Sequence, residues 1–226
     1  MQTTLLGLAI AVILALLAAL IGPYFVDWNQ FRPQFEAEAS RLVGAPVRVR
    51  DNLDARLLPT PTLRLKAVAI GEEGDAARLR ADRLDVEFSL GALMRGEWRA
   101  TELTLGGLEL DLNLDEHGRL AWPTPRGGPN LGALAIDRLK LSGQVALHDA
   151  ASRRTIVFDE IAFAGDVRAI AGAARGDGEF RLDDVRYPFR LATSRSADGA
   201  GTRLHFAIDP GARPIGLDLD GVLAFR

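Results

Sequence analysis

From Pro46 to the end of the chain, apolar and polar residues alternate with a period of two. The cleanest run is "LELDLNL", in which Leu108, Leu110, Leu112 and Leu114 alternate with Glu109, Asp111 and Asn113. Successive side chains of a strand point to opposite faces, so this pattern makes a strand with one dry and one wet side. It recurs as "VRVR" from Val47 and as "LRL" from Leu63, which runs on to Ile70 past a break that signals a bulge. "RLDVEFSL" sets Leu84, Val86, Phe88 and Leu90 against Asp85, Glu87 and Ser89. "RLKLSGQVALHD", "RTIVFDEIAFAG", "GEFRL", "YPFRLAT", "TRLHFAID" and "IGLDLDGVLAF" continue the series. Turn signals such as "EEGD", "DEHG", "RGDG" and "DPGARP" separate them. "SLGALMRG" is a short helix-prone interruption, and the Pro/Gly stretch 123–130 reads as an internal linker or a long hairpin loop.

The fold expectation is therefore mainly β: residues 45–226 form about a dozen mostly antiparallel strands with one apolar face. That face has to be covered by a second sheet, a closed barrel, a helix or a bound apolar ligand. Residue pattern alone leaves a closed β-sandwich and an open hydrophobic groove equally available.

Ahead of the sheet, residues 5–26 are uncharged and almost wholly apolar. About 22 helical residues span ~33 Å, enough for a bilayer core of ~30 Å. The preceding "MQTT" has no Lys or Arg, the run is long for a signal-peptide core, and no Ala-x-Ala ends it. Residues 1–26 are accordingly expected to be an uncleaved transmembrane anchor, with Tyr24 and Trp28 as an aromatic belt at its exit. Residues 27–44 then read as an amphipathic helix. Trp28, Phe31, Phe35, Ala39, Leu42 and Val43 share one stripe; Asp27 or Asn29 can cap the start, Pro33 fits only the first turn, and Gly44 suits the end. Phe31, Phe35 and Leu42 are expected to pack on the first strands, around Val47 and Leu63, so that the helix covers the membrane-proximal end of the sheet.

Signs of reaction chemistry are scarce. The chain of 226 residues has a formal net charge of -3, three histidines and no cysteine. Without cysteine there are no disulfides, thiolate metal sites or thiol nucleophiles. His117, His148 and His205 lie far apart with no metal-ligand spacing, and nucleophile-elbow, zinc-protease and phosphate-loop motifs are absent. The carboxylates fall at alternating strand positions or in turns. Basic residues are dispersed and not interleaved with aromatics, so nucleic acid is not an expected partner. The expectation is no enzyme, no cofactor and no metal.

Four stretches carry a resemblance: "VDWNQFRPQFEAEASRLVGAPVRV", "LLPTPTLRLKAVAIG", "LDVEFSLGALMRGEWRATELTLGGLELDL" and "DEHGRLAW". In order and spacing they resemble the N-terminal region of the AsmA family of bacterial envelope proteins, over about residues 1–125. The resemblance implies an inner-membrane protein of a Gram-negative bacterium with its C-terminal domain in the periplasm. It also implies a long curved sheet of the bridge-like lipid-transport class, binding phospholipids and supporting outer-membrane lipid homeostasis and biogenesis. Acyl chains would lie against Leu84, Val86, Phe88, Leu108, Leu110, Leu112, Leu139, Leu141, Ile156, Phe158, Phe206 and Ile208. Family members generally run longer, so the chain is expected either to begin a longer protein or to work with other envelope proteins through the open edge of its sheet. The alternative function is a tethered, closed β-sandwich scaffold that assists envelope protein assembly.

Overall fold

The structure, a computed structural model, describes residues 6–8, 10–14, 17, 27–72, 75, 77–117, 135–168, 173–195, 202–208 and 216–223. The expected anchor falls mostly outside these residues, as does Tyr24. Among the described residues no helix is long and apolar enough to cross a membrane.

A 3-10 turn, Trp28–Phe31, leads into helix α1, Arg32–Val43. The Asp27 carboxylate accepts from the Asn29 amide at the start, Pro33 lies in the first turn, and Gly44 ends the helix in the left-handed region at φ 81°. Among the described residues eleven strands follow: β1 Val47–Val49, β2 Leu53–Arg56, β3 Thr62–Ile70, β4 Ala77–Phe88, β5 Arg99–Leu114, β6 Ala135–Asp149, β7 Arg154–Val167, β8 Ala174–Leu182, β9 Val185–Arg195, β10 Thr202–Ile208 and β11 Leu217–Leu223. The helix-prone "SLGALMRG" becomes α2, Leu90–Met94, capped by the Ser89 hydroxyl accepting from the Ala92 amide.

The strands form one sheet in the order β1-β3-β4-β5-β6-β7-β8-β9-β10-β11, with β2 also on β3. The sheet does not close, because β1 and β11 stand at opposite ends of the path. A closed sandwich, which the alternation equally allowed, is thereby overturned. Every pairing is antiparallel except β5 with β6, which run parallel. The stretch 123–130, expected as an internal linker or a long hairpin loop, lies outside the described residues.

Four strands, β3, β4, β5 and β7, keep their apolar residues on one side by changing phase. Ala67 (φ 52°), Gly107 (φ 62°) and Glu160 (φ 47°) take left-handed conformations inside β3, β5 and β7. In β3, Leu65 and Val68 lie on either side of Ala67, yet both enter the same buried cluster. In β5 the inward positions change from Leu103 and Leu105 to Leu108 and Leu110, and β4 changes opposite, where Leu84 faces Leu105 and Ala81 faces Leu108. A side chain at Gly107 would be strained by its φ and would meet the Asp82 carboxylate. Gly107→Ala is expected to destabilise the protein by about 1–2 kcal/mol, while Gly106→Ala, whose Cβ would have room, stays near neutral. Denaturant midpoints of the two variants check this.

The first edge of the sheet is closed off by the helix. Val47 N–H donates to Ser40 Oγ (2.8 Å), Val49 N–H to Glu36 Oε1 (2.7 Å) and Leu53 N–H to Asn29 Oδ1 (3.2 Å). Above these bonds Trp28, Phe35, Ala39 and Val43 pack on Val47, Val49, Leu53, Leu65 and Val68. Ser40→Ala would leave a half-buried amide without its acceptor, at a cost of about 1–3 kcal/mol. Amide exchange at Val47 should accelerate about 10–100-fold while β9 amides stay unchanged; an unaltered Val47 rate would refute the edge-capping role.

Candidate functional site

Cross-strand register assembles the apolar positions into two rows that run from β3 to β11. One is Leu65, Leu84, Leu105, Leu141, Phe163, Gly178, Phe189, Ile208 and Leu217. The other is Leu63, Val86, Leu103, Leu139, Gly165, Gly176, Leu191, Phe206 and Leu219. Neither row contains a polar side chain. At ~4.8 Å between strands, each row is about 40 Å long.

The register places all twelve candidate residues on this side, though in different surroundings. Leu84, Val86, Phe88 and Leu139 belong to a packed cluster with Ala100 and Ile136. Leu108 is buried beside Ala81. Leu110 lies between Leu79 and Val145, Leu112 between Ala77 and Leu147, and Leu141 between Leu105 and Phe163. Ile156, opposite Leu147, is 43% exposed. Phe158, Phe206 and Ile208 meet in a cavity of about 460 Å³, the size of a small-molecule pocket. Its other walls are Val145, Ile161, Phe180, Leu182, Tyr187, Phe189 and Leu217, and no exposed polar surface lines it.

The wall residues on β8 and β9 were not among the sequence candidates, although "GEFRL" and "YPFRLAT" carry the same alternation. Their rings form a connected set. Phe158 meets Phe180 edge-on at 5.2 Å, Phe180 stacks on Tyr187 at 5.6 Å, and Phe189 lies 5.5 Å from Phe206. Glycine makes room for them: a Cβ at Gly178 would meet Phe189 Cζ at 2.6 Å. With hydrogen there, the ring lies down over bare backbone and the surface beside it stays low.

The N-terminal candidates divide. Phe35 packs on the first cluster as expected. Phe31 does not: it is 43% exposed, lying 6.0 Å from the Trp28 ring, whose own half-buried indole takes the place against the cluster. The reason is the 3-10 turn, whose tighter winding takes Phe31 off the stripe that a continuous α-helix would have kept. Trp28, expected at a membrane interface, thus faces the sheet. Leu42 lies in α1 with its side chain outside the description.

The opposite side carries cross-strand ion pairs. Lys140 Nζ lies 2.8 Å from Glu102 Oε1, and Arg175 Nε 2.8 Å from Asp166 Oδ1. The Lys140 hydrogen bond holds the Glu102 carboxyl below the usual glutamate range, so this β5–β6 link is present at neutral pH and is lost only as pH falls through that lowered value. His117 is exposed in a turn. His148 Nδ1 is 2.9 Å from Thr155 Oγ1, and its Nε2 is 3.8 Å from Asp111. His205 faces Asp218 (3.6 Å) and Asp220 (3.3 Å) across β10 and β11. The ligand atoms of these three lie within 4.8 Å of one another, a spacing that could hold a cation, but His205 is part-exposed and both aspartates are exposed.

Residues 1–126 match the sequence model of the AsmA family. The matched segment takes in α1 and β1 to β5. No curated protein and no solved structure matches the chain.

Proposed function

Because the chain belongs to the AsmA family, we propose that it holds phospholipid acyl chains along the apolar side of its unclosed sheet. In this reading the sheet is a hydrophobic groove in the periplasm, tethered to the inner membrane by residues 1–26, and it supports outer-membrane lipid homeostasis and biogenesis. The observation that carries the reading is the pair of apolar rows crossing nine strands. A sheet's dry face needs a covering layer, and among the described residues only α1 supplies one, over the β1–β3 end.

The mechanism is burial without register. Each methylene removed from water contributes about 0.8 kcal/mol, and contacts of this kind have no preferred position along a chain. An acyl tail is held against Leu110, Leu141, Phe158 or Phe206 yet can slide from one to the next. The head group remains in water beyond the strand ends. No residue is asked to make or break a covalent bond.

Native mass spectrometry of the full chain extracted in mild detergent tests the proposal. Phospholipid is expected to stay bound after annular lipid is stripped. A lipid-free, monodisperse and thermally stable protein would overturn the reading.

A further inference from the structure

The two edges of the sheet are treated differently. At β1 and β2, side chains of the preceding helical segment accept the outward amides of Val47, Val49 and Leu53. At the other end, β11 has β10 on one side and, among the described residues, no strand on the other. Its inward residues Leu217 and Leu219 are each 44% exposed. Its outward residues Asp218 and Asp220 have side chains 75% and 73% exposed.

Within the sheet, outward acids are matched by bases on an adjacent strand: Glu102 on β5 by Lys140 on β6, Asp166 on β7 by Arg175 on β8, and Asp177 on β8 by Arg190 on β9, while Asp85 on β4 and Glu109 on β5 lie near Arg64 and Arg80 on the strands before them. Among the described residues, Asp218 and Asp220 have an ion-pair neighbour on one side only, the His205 imidazole. We infer that β11 is a docking edge for a β-strand of another protein chain in which apolar residues alternate with Arg or Lys. Main-chain hydrogen bonds from the free edge of β11 supply the affinity. Leu217 and Leu219 receive the apolar residues, which extends both apolar rows by one strand. Asp218 and Asp220 select the basic ones. A second copy of β11 is rejected by the same chemistry, since self-pairing sets carboxylates against carboxylates.

The probes are blocked seven-residue peptides alternating Val with Arg or Val with Glu, titrated into the full chain and read by fluorescence anisotropy. The Val/Arg peptide is expected to bind about tenfold or more tighter than the Val/Glu peptide. Asp218→Lys/Asp220→Lys should reverse the preference, and Asp218→Asn/Asp220→Asn should level it, which covers the case in which the lysine variant fails to fold. A Val/Arg peptide N-methylated at alternate residues should not bind. Four results would overturn the inference: binding that survives N-methylation, which is charge attraction alone; a preference indifferent to the substitutions; dimerisation of the chain through β11; or stoichiometric Mn²⁺ binding lost in the asparagine variant with no peptide preference, which would make the cluster a cation site.

Discussion

In a Phe158→Asp/Phe206→Asp variant, phospholipid bound to the purified protein is expected to fall to background. Both rings are half-buried walls of the 460 Å³ cavity. Each can become a carboxylate that reaches water at the cavity mouth, so the sheet should persist. The loss falls on the ligand. Displacing about five methylenes from this surface removes ~4 kcal/mol, close to a thousandfold in affinity. Phe158→Leu/Phe206→Leu keeps the surface apolar and should retain lipid at close to the unmodified stoichiometry. Lipid per protein in native mass spectra, with thermal melts to confirm that each variant is folded, separates the outcomes. Unchanged lipid in the charged variant would refute acyl-chain binding at this cavity.

Phe35→Asp is expected to detach the first end of the sheet while leaving the rest folded. Phe35 is the largest of the α1 side chains that pack on the cluster of Val47, Val49, Leu53, Leu65 and Val68, the others being Ala39 and Val43. Truncating such a ring costs about 3–5 kcal/mol, and an unpaired carboxylate in its place adds to that. The helix would lift and take Ser40 and Glu36 away from the β1 amides. Limited proteolysis should then cut between residues 27 and 56 about 100-fold faster or more, with fragments from β6 onward as resistant as before. Phe31→Asp is the matched control: at 43% exposure its ring holds little, and its digestion pattern should not change. Equal patterns for Phe35→Asp and the unmodified chain would mean that α1 does not secure this end.

Strand positions were legible in the sequence because each strand alternates, and even the bulge near Ala67 shows as a slip between Leu65 and Val68. Helix boundaries were legible for local reasons: Asp27, Pro33 and Gly44 each satisfy a particular end of the segment. The short strand β2 was missed, since Leu53–Arg56 has too few residues to establish a period. The parallel pairing of β5 with β6 was not legible, because alternation records which side a residue faces and not which way its neighbour runs. The same limit hid whether the sheet closes: a sandwich and an open sheet demand the same pattern along each strand. Phe31 was misplaced by a difference in helix type, which hydrophobic spacing does not encode. The aromatic cavity was half visible. Phe158, Phe206 and Ile208 were named, but their meeting with Phe180, Tyr187 and Phe189 depends on register across four strands.

The parallel seam also bears on how the chain reaches this arrangement. From β2 to β5, and again from β6 to β11, each strand pairs with the one that follows it in sequence. Such contacts close short loops and form early. The seam is different: Arg99 meets Ala135, Leu103 meets Leu139 and Leu110 meets Val145, so every rung must first close a loop of about 35 residues. Folding is therefore expected to proceed as two separate meanders that zip together last. Until they do, each exposes a strand edge to the surrounding solution, and the interval before zipping is when the chain is most open to mispairing.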